Sequence, residues 1–373
     1  MSYTSSIPLP DFDLWKRTDI KRLPWSFEID ATARCNLNCR HCYINLPAGD
    51  RDAKSVELSL CEIESIAQQA VALGSLWCLI SGGEPLLRPD FISIYLALRR
   101  LGLLVSVFTN ATLLTSEHIA LFKKYPPRSL EVTVYGVTQE TYERVTRRPG
   151  SYAAFRRGLD LLFEGGIDVT LKTMALQSNV NELPAIADFC RQHTHTNFRF
   201  DPFLHLRYDG DPQRNAEISS ERLSPAQIVA IEQADEGRLR AVQKKCRELI
   251  QPVDVNVNCA HIFSCGVGTA SFNVTYNGFF RLCTSLSHPS CMYDLRQGSL
   301  IQAWQEYGPQ VRKMRSSNQQ FLEHCHRCAL IDLCMWCPAT AHLESGQLDN
   351  WVEYFCQVAH ARYEAYARPT LDE

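Results

Sequence analysis

Three cysteines fall within one short run, Cys35-Asn36-Leu37-Asn38-Cys39-Arg40-His41-Cys42, a CxxxCxxC spacing. Thiolates are soft ligands that suit iron–sulfur clusters or zinc. A 4Fe–4S cluster ordinarily takes four cysteines. A compact loop offering three leaves one iron without a protein ligand, open to a substrate or cofactor. Zinc is the competing ion, and a structural zinc site wants a closed set of four. The spacing by itself leaves both readings standing.

The chain carries 16 cysteines in 373 residues. Met1 to Pro10 is polar and lacks the charged start and apolar core of a secretory signal. A cytoplasmic protein is therefore expected, where disulfides rarely persist and clustered cysteines read as metal ligands. Nine of the 16 lie between Cys259 and Cys356. Five residues separate Cys259 from Cys265. Cys265 is followed by twelve residues, Gly278, four residues and Cys283. Then come Cys325-x2-Cys328, five residues, Cys334-x2-Cys337, eighteen residues and Cys356. Zinc ribbons separate paired CxxC units by roughly 12–20 residues, so a gap of five sits poorly with two zinc knuckles. Cys291 fits neither group and reads as spare. Cys61, Cys78, Cys190 and Cys246 read as ordinary buried residues.

One further segment has a chemical reading, Ser81-Gly82-Gly83-Glu84-Pro85. Paired glycines let a backbone approach a ligand closely, and a carboxylate accepts from an ammonium. Taken alone, Gly-Gly-Glu-Pro is a plain strand-to-helix turn.

Together, CxxxCxxC with an aromatic (His41) before its last cysteine and this Gly-Gly-Glu-Pro segment some 40 residues on resemble the radical S-adenosylmethionine (SAM) superfamily. The later cysteines resemble the SPASM extension found in many of its members. The departure is two residues between Cys334 and Cys337 where three are common. The resemblance implies three 4Fe–4S clusters. The first takes Cys35, Cys39 and Cys42. One auxiliary cluster takes Cys259, Cys265, Cys283 and Cys337. The other takes Cys325, Cys328, Cys334 and Cys356. It implies SAM contacts at His41, Ser81, Gly82, Gly83, Glu84 and Pro85, with Asn110, Thr133 and Lys172 as softer ones; Ala111 stands where relatives often have Gly.

The implied activity is one-electron cleavage of SAM to a 5′-deoxyadenosyl radical that takes hydrogen from a peptide. The implied class is post-translational modification of a ribosomally made peptide, by an oxidoreductase. Leu130–Gly136 and Arg147–Ser151 look most like peptide maturases, and Tyr135 breaks the SxDG-like strand of sulfatase maturases. Residues 79–90 resemble members that trim porphyrin side chains in haem synthesis. Protein oxidation of the sulfatase-maturase kind, porphyrin decarboxylation and, from another class, a non-catalytic iron–sulfur electron carrier are the alternatives. A flavodoxin or ferredoxin reductant is implied. Only 34 residues precede Cys35, too few for a leader-binding domain, so a separate leader-peptide-binding protein, or the barrel itself, is expected to recognise a leader.

The elements that position these residues follow from periodicity. Apolar, β-branched runs at Ser26–Ile29, Leu76–Ser81, Leu104–Thr109, Leu130–Tyr135, Val169–Ala175 and Phe198–Phe203 read as strands. Amphipathic stretches near 57–74, 90–101, 115–124, 138–146, 152–165 and 183–192 read as helices. Six β/α units wrap into a partial (β/α)6 TIM-like barrel, an α/β fold whose ligands sit at the C-terminal strand ends. Both chemical motifs directly follow a strand. Asp201, His205 and Tyr208 follow the sixth and are expected near the cavity.

Asp209-Gly210-Asp211-Pro212 reads as a turn-rich break, and Ser224-Pro225 as the start of a helix to about Ile250. The organisation expected is an N-terminal extension (1–25), the barrel (26–204), a bridge (205–258) and a small cysteine-rich iron–sulfur domain (259–373). A net charge of −3 with no basic block gives no footprint for nucleic acid. No apolar run approaches a membrane span.

Overall fold

The computed structural model describes residues 22–194, 198–250, 260–263 and 265–367. Cys259 lies outside them, as does nearly all of the N-terminal extension.

The barrel strands are β1 (Ser26–Thr32), β2 (Trp77–Gly82), β3 (Leu104–Thr109), β4 (Ser129–Thr133), β5 (Thr170–Met174) and β6 (Arg199–Asp201). Between them run α1 (Leu60–Ala72), α2 (Phe91–Arg100), α3 (Ser116–Lys124), α4 (Gln139–Thr146), α5 (Ser151–Glu164) and α6 (Leu183–His193). The six strands pair in parallel in chain order. Parallel strands covered by helices are apolar and β-branched, and Val105, Val107, Leu130, Val132 and Leu171 are fully buried between sheet and helices. Local signals fix the helix starts. Ser59 and Glu62 form a reciprocal capping box on α1, and the Thr138 hydroxyl accepts from Thr141 N on α4.

The sixth strand is shorter than its apolar run. Pro202 has no N–H to give the ladder, and the Asp201 carboxylate takes the Phe203 N–H instead, at 2.9 Å. The bridge is more helical than its sequence suggested. Asp211 caps α7 (Pro212–Glu221), with Pro212 in the first turn where its missing N–H costs nothing. The expected long helix is two, α8 (Pro225–Gln233) and α9 (Glu236–Leu249), because the Asp235 side chain accepts from Arg238 N and starts a new helix.

The sheet does not stop with the barrel. Strand β7 (Ser271–Val274) pairs in parallel with β1, Ser26 opposite Ser271 and Ile29 opposite Val274. Strands β8 (Phe279–Arg281) and β9 (Met292–Asp294) extend it antiparallel. The nine-stranded order is β9-β8-β7-β1-β2-β3-β4-β5-β6, so the cysteine-rich region completes the edge that a six-stranded barrel leaves unpaired. A buried ion pair locks the junction: Arg281 reaches Asp30 on β1 at 2.9 Å and Asn273 on β7 at 2.6 Å. Two last helices, α10 (Pro338–Ser345) and α11 (Glu353–Tyr366), close the fold, α11 packing on α8 and α9. Among the described residues no helix is long and apolar enough to cross a membrane.

Candidate active site

Strand β1 leads straight into the cysteine loop. Glu57 holds Arg34 there through two contacts of 2.7 and 3.0 Å. The loop is pinned from outside: Asn38 N and Arg40 N donate to the carbonyls of Thr146 and Val145 at the end of α4, at 3.0 and 3.1 Å. Cys35 and Cys39 are buried and Cys42 half-buried, and all three line a cavity of about 400 Å³ at the C-terminal strand ends.

Gly82 and Gly83 form the facing wall. Gly83 N donates to Thr32 O at 2.6 Å and Glu84 N to Arg34 O at 2.9 Å. A Cβ on Gly82 would stand 2.2 Å from Thr32 O, and one on Gly83 2.3 Å from Arg34 O. Gly82 also has φ +123°, where a side chain is strained. The paired glycines are thus required by the closeness of the two motifs.

Most expected SAM contacts come together here. His41, Ser81, Gly82, Gly83, Asn110, Thr133 and Lys172 all line the cavity. Asn110 donates to Cys35 Sγ at 3.7 Å and to Asn36 Oδ1 at 3.0 Å. Burial lowers the His41 imidazole to about 4, helped by Arg214, and its buried Nδ1 has no hydrogen-bond partner among the described residues. Lys172 lines the wall over the Phe108 ring at 3.4 Å, its ammonium on Glu131 at 2.7 Å.

Glu84 and Pro85 behave differently from expectation, for neither lines the cavity. The Glu84 carboxylate turns inward and accepts from Asn110 N (2.8 Å), the Thr109 hydroxyl (2.7 Å) and Leu86 N (3.1 Å). It ties the ends of β2 and β3 rather than offering an acceptor to an ammonium. Burial raises its pKa to about 7 against those three donors.

Asp201 and His205 line the cavity, while Tyr208 packs on Tyr43 with ring centres 4.9 Å apart. Sequence reasoning passed over Glu28, whose carboxylate accepts from the Ser81 and Thr284 hydroxyls at the cavity floor. It also passed over Arg207 and Arg214, which hold loop carbonyls from about 170 residues away. No local pattern marks any of the three.

The later cysteines gather in two places. Cys265 and Cys283 line a chamber of about 570 Å³ beneath the cavity, with Cys337 close enough to Cys283 to oppose its ionisation. Cys325, Cys328, Cys334 and Cys356 line a second, of about 440 Å³, beside α11. Burial raises the Cys325 thiol to about 11 and Cys334 to about 12, their neighbouring cysteines adding to it. Cys291 is fully buried and near neither set, at 4.0 Å from Met314 Sδ. Cys78, Cys190 and Cys246 are buried, but Cys61 is exposed on α1 because its position faces away from the sheet. Among the described residues, no three Cys, His, Asp or Glu side chains converge tightly enough to cage a single ion. The thiols instead ring chambers hundreds of cubic ångströms in size. That donor set, the glycine cradle and the unpartnered His41 Nδ1 fit a thiolate-ligated cluster with a small polar molecule beside it.

Residues 29–190 match the family model described as Radical SAM superfamily. These residues are a radical SAM domain. Within curated proteins, the chain is 32% identical over 193 residues to Fe-coproporphyrin III synthase of Methanosarcina barkeri, covering 52% of this chain and 46% of that protein. It is 24% identical over 322 residues to the subtilosin biosynthesis protein AlbA of Bacillus subtilis, covering 84% of this chain and 67% of AlbA. The chain spans about half the length of the first of these and of similar relatives. Among solved structures, SuiB of Streptococcus suis bound to its precursor peptide SuiA superposes with a TM-score of 0.66 at 16% identity, over 92% of this chain and 78% of SuiB. The radical SAM domain thus covers β1 to α6, and the shared fold runs on into the cysteine-rich region.

Proposed function

We propose that this chain is a radical SAM enzyme that modifies a peptide. The observation that carries the reading is the cavity itself, where three thiols and the Gly82–Gly83 edge face one another across about 400 Å³. Cys35, Cys39 and Cys42 hold the first cluster. The cysteine-rich region from 259 onward is a SPASM domain whose two thiol groups hold auxiliary clusters, Cys259 joining Cys265, Cys283 and Cys337. When bound, SAM and the first cluster supply a 5′-deoxyadenosyl radical by one-electron cleavage of a carbon–sulfur bond. The chain's own work is to place the reactants and keep stray hydrogen donors out. The Gly82–Gly83 backbone and the His41 and Asn110 side chains orient SAM; Leu37, Phe108, Met174, Phe203 and Leu204 give the cavity dry walls.

The cavity charge favours a peptide over a porphyrin. A porphyrin presents several carboxylates, which call for arginine or lysine partners. Among the described residues the lining has one lysine, already on Glu131, no arginine, and two carboxylates, Glu28 and Asp201. AlbA, matched over 84% of this chain, is named for biosynthesis of the bacteriocin subtilosin, and SuiB, similar in fold over 92% of it, is seen bound to a precursor peptide.

The test is anaerobic reconstitution with iron and sulfide, then dithionite and SAM. 5′-Deoxyadenosine is expected; a fully loaded protein that forms none rejects the enzyme reading. A Soret titration separates the substrates, since tight binding of Fe-coproporphyrin III would favour the porphyrin reading.

A further inference from the structure

The segment after β6 turns back onto the cysteine loop. Arg207, buried, donates to the carbonyls of Cys42 at 3.5 Å and Asn45 at 3.2 Å. Arg214, on α7, donates to the Cys39 carbonyl at 2.9 Å and to Asn45 Oδ1 at 3.4 Å. Each guanidinium therefore rests on the backbone of a cysteine whose sulfur faces the cavity.

The two differ in what neutralises them. Arg207 is matched one-to-one by Asp209, at 2.8 and 3.1 Å. Arg214 shares Glu217 with Arg147, at 2.8 and 2.9 Å. Two cations on one carboxylate leave a net positive charge beside Cys39. The thiols themselves meet other donors: the Tyr135 hydroxyl on Cys39, and Leu37 N at 3.4 Å and Asn110 at 3.7 Å on Cys35.

We infer that Arg214 is a positioning residue for the first cluster, its charge stabilising the negative charge gained on one-electron reduction and so raising the cluster's reduction potential. The inference rests on the proposed function. Potentials of such clusters follow net charge and hydrogen bonds to sulfur, and a charge at a half-buried site is screened less than one in water.

The experiment is an anaerobic redox titration of the reconstituted full chain, followed by electron paramagnetic resonance. The first cluster is recognised as the signal that changes when SAM is added. Arg214→Met is expected to shift the reduction equilibrium about tenfold toward the oxidised form, a fall of about 59 mV for a one-electron couple. Arg214→Lys keeps the charge and is expected to stay near wild type. Glu217→Gln removes the shared carboxylate and is expected to raise the potential. A purely structural clamp would move Met and Lys variants alike. That result, or a Glu217→Gln potential that is unchanged or lower, overturns the inference. If Arg214→Met loads no iron, the sign in Glu217→Gln decides. A loaded wild type that forms no 5′-deoxyadenosine sinks the proposed function while the potentials still test the charge.

Discussion

Replacing Arg281 by Met removes one partner of the ion pair that joins the cysteine-rich region to the barrel. Both side chains are only 2% exposed. Arg281 meets Asp30 at 2.9 Å and Asn273 at 2.6 Å, and its guanidinium lies 4.7 Å from the centre of the Tyr208 ring. Met fills much of the same volume, so the cost is chiefly that of a carboxylate left buried without its cation, about 3–5 kcal/mol. Unfolding entropy of about 2.1 cal/mol/K per residue gives about 0.8 kcal/mol/K for this chain, so the melting temperature should fall by about 4–6 °C.

The loss has a pH signature. Burial raises Asp30 to about 6 even with Arg281 pulling it down. A carboxyl raised in the folded state favours folding at low pH, and that contribution is lost as pH rises through the folded value. Without Arg281 the carboxyl rises further, so the deficit against wild type should be small near pH 5 and grow by about 1.4 kcal/mol per pH unit above about pH 6, approaching the full cost only above pH 8. Asp30→Asn added to Arg281→Met should recover most of it. Anaerobic melts of the four proteins at both pH values read the cycle. A deficit under about 1 kcal/mol, or one independent of pH, would refute the claim that this pair locks the junction.

Gly83→Ala puts a Cβ 2.3 Å from Arg34 O; overpacking of about 1–3 kcal/mol should weaken SAM binding roughly tenfold or more, read by equilibrium dialysis on loaded protein. Cys35→Ala with Cys39→Ala should lower iron from ~12 to ~8 per chain and abolish 5′-deoxyadenosine. Cys325→Ala with Cys328→Ala should remove a similar amount of iron yet leave SAM cleavage in place, since those thiols line a separate chamber. Glu84 rises from its ordinary 4.5 to about 7 on folding, so wild type should lose about 3 kcal/mol of stability between those pH values; Glu84→Gln should flatten that part of the denaturation-versus-pH curve.

What the sequence disclosed and what it hid divide by range. The apolar, β-branched runs act within a few residues, and they place β2 to β6 to within a residue or two, while β1 runs three residues past its expected end. The cysteine spacing likewise carries its own chemistry. Nothing within a few residues of Ser271 says that it will pair with Ser26, nor that Arg281 will meet Asp30 across 251 positions. Those contacts exist only because the barrel's first strand offers an edge.

Glu84 is the instructive middle case. Its sequence setting named the right turn, yet the direction of its carboxylate depends on Asn110 N and the Thr109 hydroxyl on the neighbouring strand. The same division explains why the residues around the cysteine loop escaped notice. Arg207 and Arg214 reach the cysteine loop only after β6 has closed the sheet and α7 has been capped by Asp211. Because the loop's carbonyls are held from the bridge and its sulfurs face the barrel, a change in the bridge can alter the cluster's surroundings without touching a thiol. A cysteine loop read on its own gives candidate ligands; the charge those thiols feel is set by chain that folds against them later in the sequence.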